Sequence, residues 1–481
     1  MKLASLLKSL QPNEYKDFEK FLQSPFFKAS AQYLKFFKFL CKHHPSFELE
    51  KAEVESAYRR CFGPTAWSES KLYNLLSGMS KQIEQFLVVR LVFTSNTKNQ
   101  NLLYNQLLVK SLGMRNMGAY FRAEAHRLIE HTETRSSKEI EDYFVISQLH
   151  HQVYFNPDTP KFQEHPPHLQ LAAAQLDLYY CLAKLRYAAE MKARARILNV
   201  QYQIPLLDAV LARTADPEII DSNPLLAVYH HLVCLYLKGV DESSFKALME
   251  LFFNKFPLLS KLDQRLLLRH LINCGIMLMA RDCAVEADLL TLYKQAIAAD
   301  MLLDGQRITH LSFINIANLA SLCHEFEWGK GFISQFAPHL EDSKRQAAID
   351  LAEAGLYYNQ GMLDKAQTCL TPDIFPIASF DIMGRALLIK IAFDRFLKFG
   401  KDYEFLSAQL IAFERYMQAK PLTIEKKNAQ LNWIKFVRKM AATKFEKVRI
   451  TEPQKHAFRE KLQQSQPIVS KKWLMERIDA L

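Results

Sequence analysis

No proline falls between Pro64 and Pro157, or between Pro257 and Pro338. Folds rich in strands depend on tight turns, which use glycine and proline to set the backbone. Glycine is scarce as well, at 13 of 481 positions, well below the usual share of about 7%. The later prolines, at 205, 217, 224, 338, 372, 376 and 421, fall between stretches of helical apolar spacing. Helices require that placement, because an internal proline removes a hydrogen bond and clashes with the preceding turn. Short apolar runs such as ISQF are too few to build a sheet. The pattern is that of an all-α chain.

The first hundred residues read as a compact helical module over 1–97. In MKLASLLKSL, Leu3, Leu6, Leu7 and Leu10 stand at helical spacing, which points to an amphipathic helix and not a signal peptide. Asn13 is placed to cap a helix carrying Tyr15, Phe18 and Leu22. Ser24-Pro25 ends it. A third helix carries Tyr33, Phe37 and Leu40, and Gly63-Pro64 closes a fourth at about 50–61. A five-turn stripe then runs through Leu72, Leu75, Leu76, Met79, Ile83, Phe86 and Leu87. The polar stretch TSNTKNQN, 94–101, is the expected linker. Helical patterns follow at about 102–112, 117–131 and 138–155. Long amphipathic segments fill most of 169–419.

The stretch EAGLYYNQGMLDKAQTCLTP, 353–372, has the marks of a helical hairpin. Ala354 and Ala366 are small, Tyr357 fills a groove beside them, and Gly361 relaxes the turn. Trp328 and Gly331 precede Leu363 and Ala366 by thirty-five residues. Hinges expected near 239, 282, 327, 362 and 401 recur at the length of two helices plus two loops. This resembles the tetratricopeptide pattern, chiefly over 310–420, although Asp350 and Leu370 depart from it. The resemblance implies stacked hairpins, and the helical periodicity before it extends the expected α-solenoid over 98–420 behind the N-terminal module, with a basic helical cap over 421–481. It also implies a concave groove lined by the first helix of each pair. His324, Tyr358 and Asn359 would face that groove, with His324 and Asn359 side by side.

Known chemical motifs are missing. There is no phosphate-binding glycine loop, no G-x-G-x-x-G, no H-E-x-x-H and no G-x-S-x-G. The pairs His43-His44, His150-His151 and His230-His231 cannot easily share an ion, since adjacent helical residues point about 100° apart. The eight cysteines form no C-x-x-C pair, as in a chain with free thiols in a reducing compartment. The longest apolar runs fall short of the roughly 20 residues of a membrane span. A soluble, cytoplasmic chain without metal or cofactor is expected.

The net charge is +11, and residues 420–481 hold +9 of it, with 15 Lys and Arg against 6 Asp and Glu. In TIEKKNAQLNWIKFVRKMAATKFEK the packing stripe is Ile424, Leu431, Ile434, Val437 and Ala441. Lys427, Lys435, Arg438 and Lys439 lie outside it. Trp473 or Leu474, with Ile478 and Leu481, form a small docking face. The leading expectation is therefore a non-enzymatic interaction scaffold that binds a protein segment in its groove. The alternatives are a nucleic-acid-binding or regulatory protein using the basic C-terminal helices, and a helical enzyme with an unfamiliar site. Residues 50–93 could also form a helix-turn-helix, but Arg59, Arg60 and Lys71 give it a thin basic face.

Overall fold

Leu3 and Leu7 enter one core because α1 (Lys2–Lys8) turns a single apolar face inward, and Leu10, just past its end, joins them. The computed structural model that shows this describes all residues except 1, 28, 48–49, 94–97, 158–166, 199, 282, 304, 371–376, 401–402, 447–449 and 466. Its described residues form helices and no strand. By contact the chain divides into two units. One comprises Met1–Arg135 and Phe144–Gln175, and the other Ser136–Tyr143 and Leu176–Leu481.

In the first unit, α1 shares its core with α2 (Glu14–Gln23), α3 (Ala31–Leu40), α4 (Lys51–Phe62) and α5 (Glu69–Phe93). Phe18, Phe36, Phe37, Met79 and Ile83 are almost fully buried there. Ser24 is extended and ends α2, and Gly63 ends α4 at φ +73°. Asn13 does not cap α2. Its backbone is already helical, and the Glu14 carboxylate instead accepts the Gln11 N–H at 2.6 Å. The expected linker also differs. Residues 94–97 lie outside the described residues, and 98–101 open α6 (Lys98–Met114). Helix α6 packs on α7 (Gly118–Glu133), and Val109, Phe121, Leu128, Ile146 and Val153 form a second, smaller core. The last two come from α8 (Ile140–Phe155), whose Glu141 and Asp142 sit in its first turn, where the helix dipole favours acids.

In the second unit, the later part of α9 (Pro167–Leu198) is followed by α10 (Leu207–Thr214), α11 (Pro217–Ser222), α12 (Pro224–Lys238) and α13 (Glu242–Lys255). Next come α14 (Lys261–Met279), α15 (Glu286–Ala298), α16 (His310–Leu322), α17 (Phe326–Phe336), α18 (Asp342–Asn359) and α19 (Leu363–Thr368). The chain ends with α20 (Ala378–Phe399), α21 (Tyr403–Ala419), α22 (Ile424–Glu446), α23 (Glu452–Gln464) and α24 (Lys471–Ala480). Pro217 and Pro224 open helices, where a missing N–H costs nothing. Asp216, Asn223, Asp241, Ser260 and Thr309 accept the first free N–H groups with their side chains. Successive helices pack as neighbours, and α18 also touches both α16 and α20.

The turns explain the spacing. Between α16 and α17, Glu325 N–H donates to Ala320 O and His324 N–H to Ser321 O. Between α18 and α19, Met362 N–H donates to Tyr357 O and Gly361 N–H to Tyr358 O. These are the same two bonds, the closing pattern of a helix that ends on a left-handed residue. His324 at φ +58° therefore corresponds to Gly361 at φ +76°. The match also corrects the expected register by two residues. The hinge lies at 323–325, with residue 327 already inside α17. The small residue that corresponds to Ala366 is Gly329, not Gly331. A Cβ on Gly329 would stand 2.9 Å from Leu356 and 3.3 Å from Ala320, whereas Gly331 faces open space.

One core runs through this unit from Ile140 to Leu481. Phe245, Phe313, Phe393 and Trp433 are fully buried in it. Each such side chain contributes about 2–3 kcal/mol by leaving water. The basic C-terminal residues belong to the same core through Trp433, Val437, Met440, Trp473, Leu474 and Ile478. The expected stripe on α22 changes at one end, since Ile424 is 80% exposed, while Trp433, Phe436 and Met440 join the buried face.

Candidate functional site

The C-terminal turns of α18 carry Leu351, Ala352, Ala354, Gly355, Leu356 and Tyr358, all buried. A helix buried on more than one face must be packed from several sides, and α16 and α20 do this here. Gly355 permits the α16 contact, as a Cβ there would fall 2.3 Å from Asn318 Oδ1. Ser321 Oγ donates to Gly355 O at 3.1 Å, and Asn359 Nδ2 donates to Ser321 Oγ at 2.8 Å.

Tyr358 joins this packing to the end of the chain. Its hydroxyl donates to Asp394 Oδ2 on α20 at 2.6 Å. It accepts from Trp473 Nε1 at 2.7 Å and from Arg477 Nη2 at 3.1 Å, both on α24. Arg477 also grips Asp394 with both prongs, Nε to Oδ1 at 2.6 Å and Nη2 to Oδ2 at 2.7 Å. Such a fork is geometrically specific as well as strong. Burial raises the pKa of the Tyr358 hydroxyl, and the Asp394 carboxylate raises it further. Nearby, Lys472 pairs with Glu286 on α15 at 2.6 Å. The Trp473 ring lies 5.5 Å from Phe393 and 5.8 Å from Trp433. Helix α24 is thus held by an aromatic anchor, a forked ion pair and two outer ion pairs, Lys472 with Glu286 and Asp479 with Arg459 of α23.

Beneath α24 is a cavity of about 940 Å³. Its walls come from alternate helices, with Met279 of α14, Asn318 of α16, Tyr358 of α18, Lys390 of α20 and Trp433 of α22. Residues 468–473 with Glu476 and Arg477 form a further side, and Arg281, Cys283 and Glu286, the last on α15, complete it. Of the groove residues expected from the sequence, Tyr358 and Asn359 line the cavity. His324 is not among the lining residues. It is exposed in the α16–α17 turn, edge-on to Phe326. The basic candidates lie elsewhere on α22. Lys427 donates to Gln418 O at 2.5 Å, Arg438 pairs with Glu414, Lys439 lies over the Phe458 ring, and Lys435 is exposed. In the first unit, Arg59, Arg60 and Lys71 are exposed. The adjacent histidines have separate partners: His230 meets Thr214 and His231 meets Ala227 O. Among the described residues no group of His, Cys, Asp and Glu could hold a metal ion, and no helix is long and apolar enough to cross a membrane.

Lys390, Asp394 and Arg477 were not anticipated as site residues. In ALLIKIAFD, Lys390 and Asp394 are four apart, so they share a helix face inside an otherwise apolar run. That local signal was available, but their partner on α24 was not. No family model, curated protein or solved structure matches this chain.

The turn geometry makes a first prediction. A side chain at φ +58° is strained, and glycine is not. His324→Gly is expected to raise unfolding stability by up to about 1 kcal/mol, read as a higher urea midpoint at unchanged slope. An unchanged or lower midpoint would contradict the assigned turn.

Proposed function

We propose that this protein is a non-enzymatic interaction scaffold of stacked helical hairpins, whose inner face holds a helical segment of a protein partner. One observation carries the reading. Five alternate helices line a single cavity, and the molecule's own α24 lies against it through Trp473 and Arg477. A surface that binds one amphipathic helix through an aromatic anchor and a forked ion pair is suited to bind another. The similar turns after α16 and α18 support the tetratricopeptide-like arrangement. In this reading α24 occupies the partner's place and yields it on binding.

The test releases α24 in the full-length chain with Trp473→Ala and Arg477→Ala together. A fluorescent peptide of residues 467–481 is expected to bind this variant with a saturable isotherm and the wild type at least ~10-fold more weakly. Adding Tyr358→Ala and Asn359→Ala should abolish binding. A released variant that takes up no peptide would overturn the reading.

A further inference from the structure

The cavity beneath α24 has an electrostatic asymmetry that the docked helix does not remove. Its lining includes five cations, Arg281, Lys390, Lys471, Lys472 and Arg477, against two acids, Glu286 and Glu476. Lys472 takes up Glu286, and Arg477 takes up both Asp394 and Glu476. Lys390 has neither a hydrogen bond nor an ion pair among the described residues. Its ammonium faces the Trp473 ring at 5.5 Å from the centroid. The carboxylate nearest in sequence, Asp394, is already held by Arg477 and Tyr358. Trp433, also beside Trp473, is fully buried, and its Nε1–H has no acceptor. Gln430 Oε1, another buried lining atom, has no donor.

A half-buried cation without an ion pair and a buried N–H without an acceptor are both costly. Both residues line one cavity, and both lie beside the Trp473 ring. The remaining walls are largely apolar, with Ile314, Ile382, Met383 and Leu387 prominent. At about 940 Å³ the space lies within the range of small-molecule sites, roughly 300–1,000 Å³. We propose that the cavity binds a small amphiphilic oxyanion (an organic carboxylate, sulfonate or phosphate monoester). Its charged oxygens meet Lys390 and the Trp433 N–H, and its apolar body lies along Ile382 and Met383. Burial, followed by the neighbouring Arg477, pushes the Lys390 ammonium down to about 8. A bound anion would restore the full charge. The proposal does not depend on a protein partner, because the space exists with α24 in place.

The experiment uses the full-length chain and two probes of nearly the same body. 8-Anilinonaphthalene-1-sulfonate carries the anion, and N-phenyl-1-naphthylamine is neutral. The expected result is one saturable sulfonate site per chain, with the neutral probe at least ~10-fold weaker. Lys390→Met should weaken the sulfonate ~10-fold and leave the neutral probe within about twofold. Trp433→Phe keeps the ring, removes the N–H and should weaken the sulfonate ~3-fold or more, which provides a second test if Lys390→Met fails to fold. Lys261→Met, at an exposed site outside the cavity, should change neither. Equal affinity for the two probes, no saturable site, or equal losses in Lys261→Met and Lys390→Met would overturn the proposal. So would a folded Lys390→Met chain with unchanged sulfonate affinity. The partner reading above is untouched by each of these outcomes.

Discussion

Asp394→Ala is expected to detach α24 and to lower unfolding stability by about 3 kcal/mol. The carboxylate accepts both prongs of Arg477 and the Tyr358 hydroxyl. Its removal leaves a guanidinium and a hydroxyl in a site where neither is well hydrated. The Asp394 and Arg477 side chains are 15% and 23% exposed, so some water reaches them, and the cost belongs at the lower end of the ~3–5 kcal/mol seen when a buried pair loses one partner. Two measurements check it. Urea denaturation should show the loss, and the tryptophan emission should shift to the red as Trp473 leaves its contacts with Trp433 and Phe393. The double variant Asp394→Leu/Arg477→Met should recover more than half of the stability, because no unpaired charge remains. A single variant within about 0.5 kcal/mol of wild type would show that the fork does not hold α24.

The second large effect lies at the start of α14. Asp263 is fully buried, and its carboxylate accepts Arg186 Nη2 at 2.8 Å, Tyr229 Oη at 2.9 Å and Ser260 Oγ at 2.8 Å. Ser260 in turn accepts the Asp263 N–H and starts the helix. One side chain therefore ties α9, α12 and α14 together and places a negative charge at a helix N-terminus. Asp263→Ala is expected to cost about 4–5 kcal/mol, since three donors lose their acceptor and Arg186 loses its buried counter-ion. Asp263→Asn keeps an acceptor without the charge and should cost about half as much. Chemical denaturation gives both values. Amide exchange should quicken first at the start of α14. An asparagine variant as stable as wild type would show that the charge contributes nothing.

The difference between these two networks shows what could be read in advance. Ser260 followed by Asp263 is a local start signal, and the prolines at 217 and 224 mark helix starts for an equally local reason. Tyr358 was also within reach, because it stands near the turn of the hairpin that resembles a known repeat. The error at His324 has a physical cause. Counting residues between similar letters placed Trp328 opposite Leu363. The chain aligns instead by its left-handed turn residues, and a histidine there does not look like a glycine. Asn13 failed as a cap because its own backbone is already helical, which is not the extended conformation from which a side chain reaches the first free N–H groups.

Local spacing was enough to determine that this is a helical chain, and it marked several of its helix ends and inward faces, such as those at Ser24, Gly63 and Phe18. Those properties depend on residues three or four apart, whose geometry the backbone imposes. Only the tertiary structure decided that α24 returns to residues more than a hundred positions earlier. It alone placed Lys390 and Trp433 at one cavity, and it alone spread the basic residues of α22 over separate contacts. A periodic apolar stripe states that a face will be covered, but many partners bury similar area, and the choice among them rests on the fit of particular side chains such as Trp473 and Arg477.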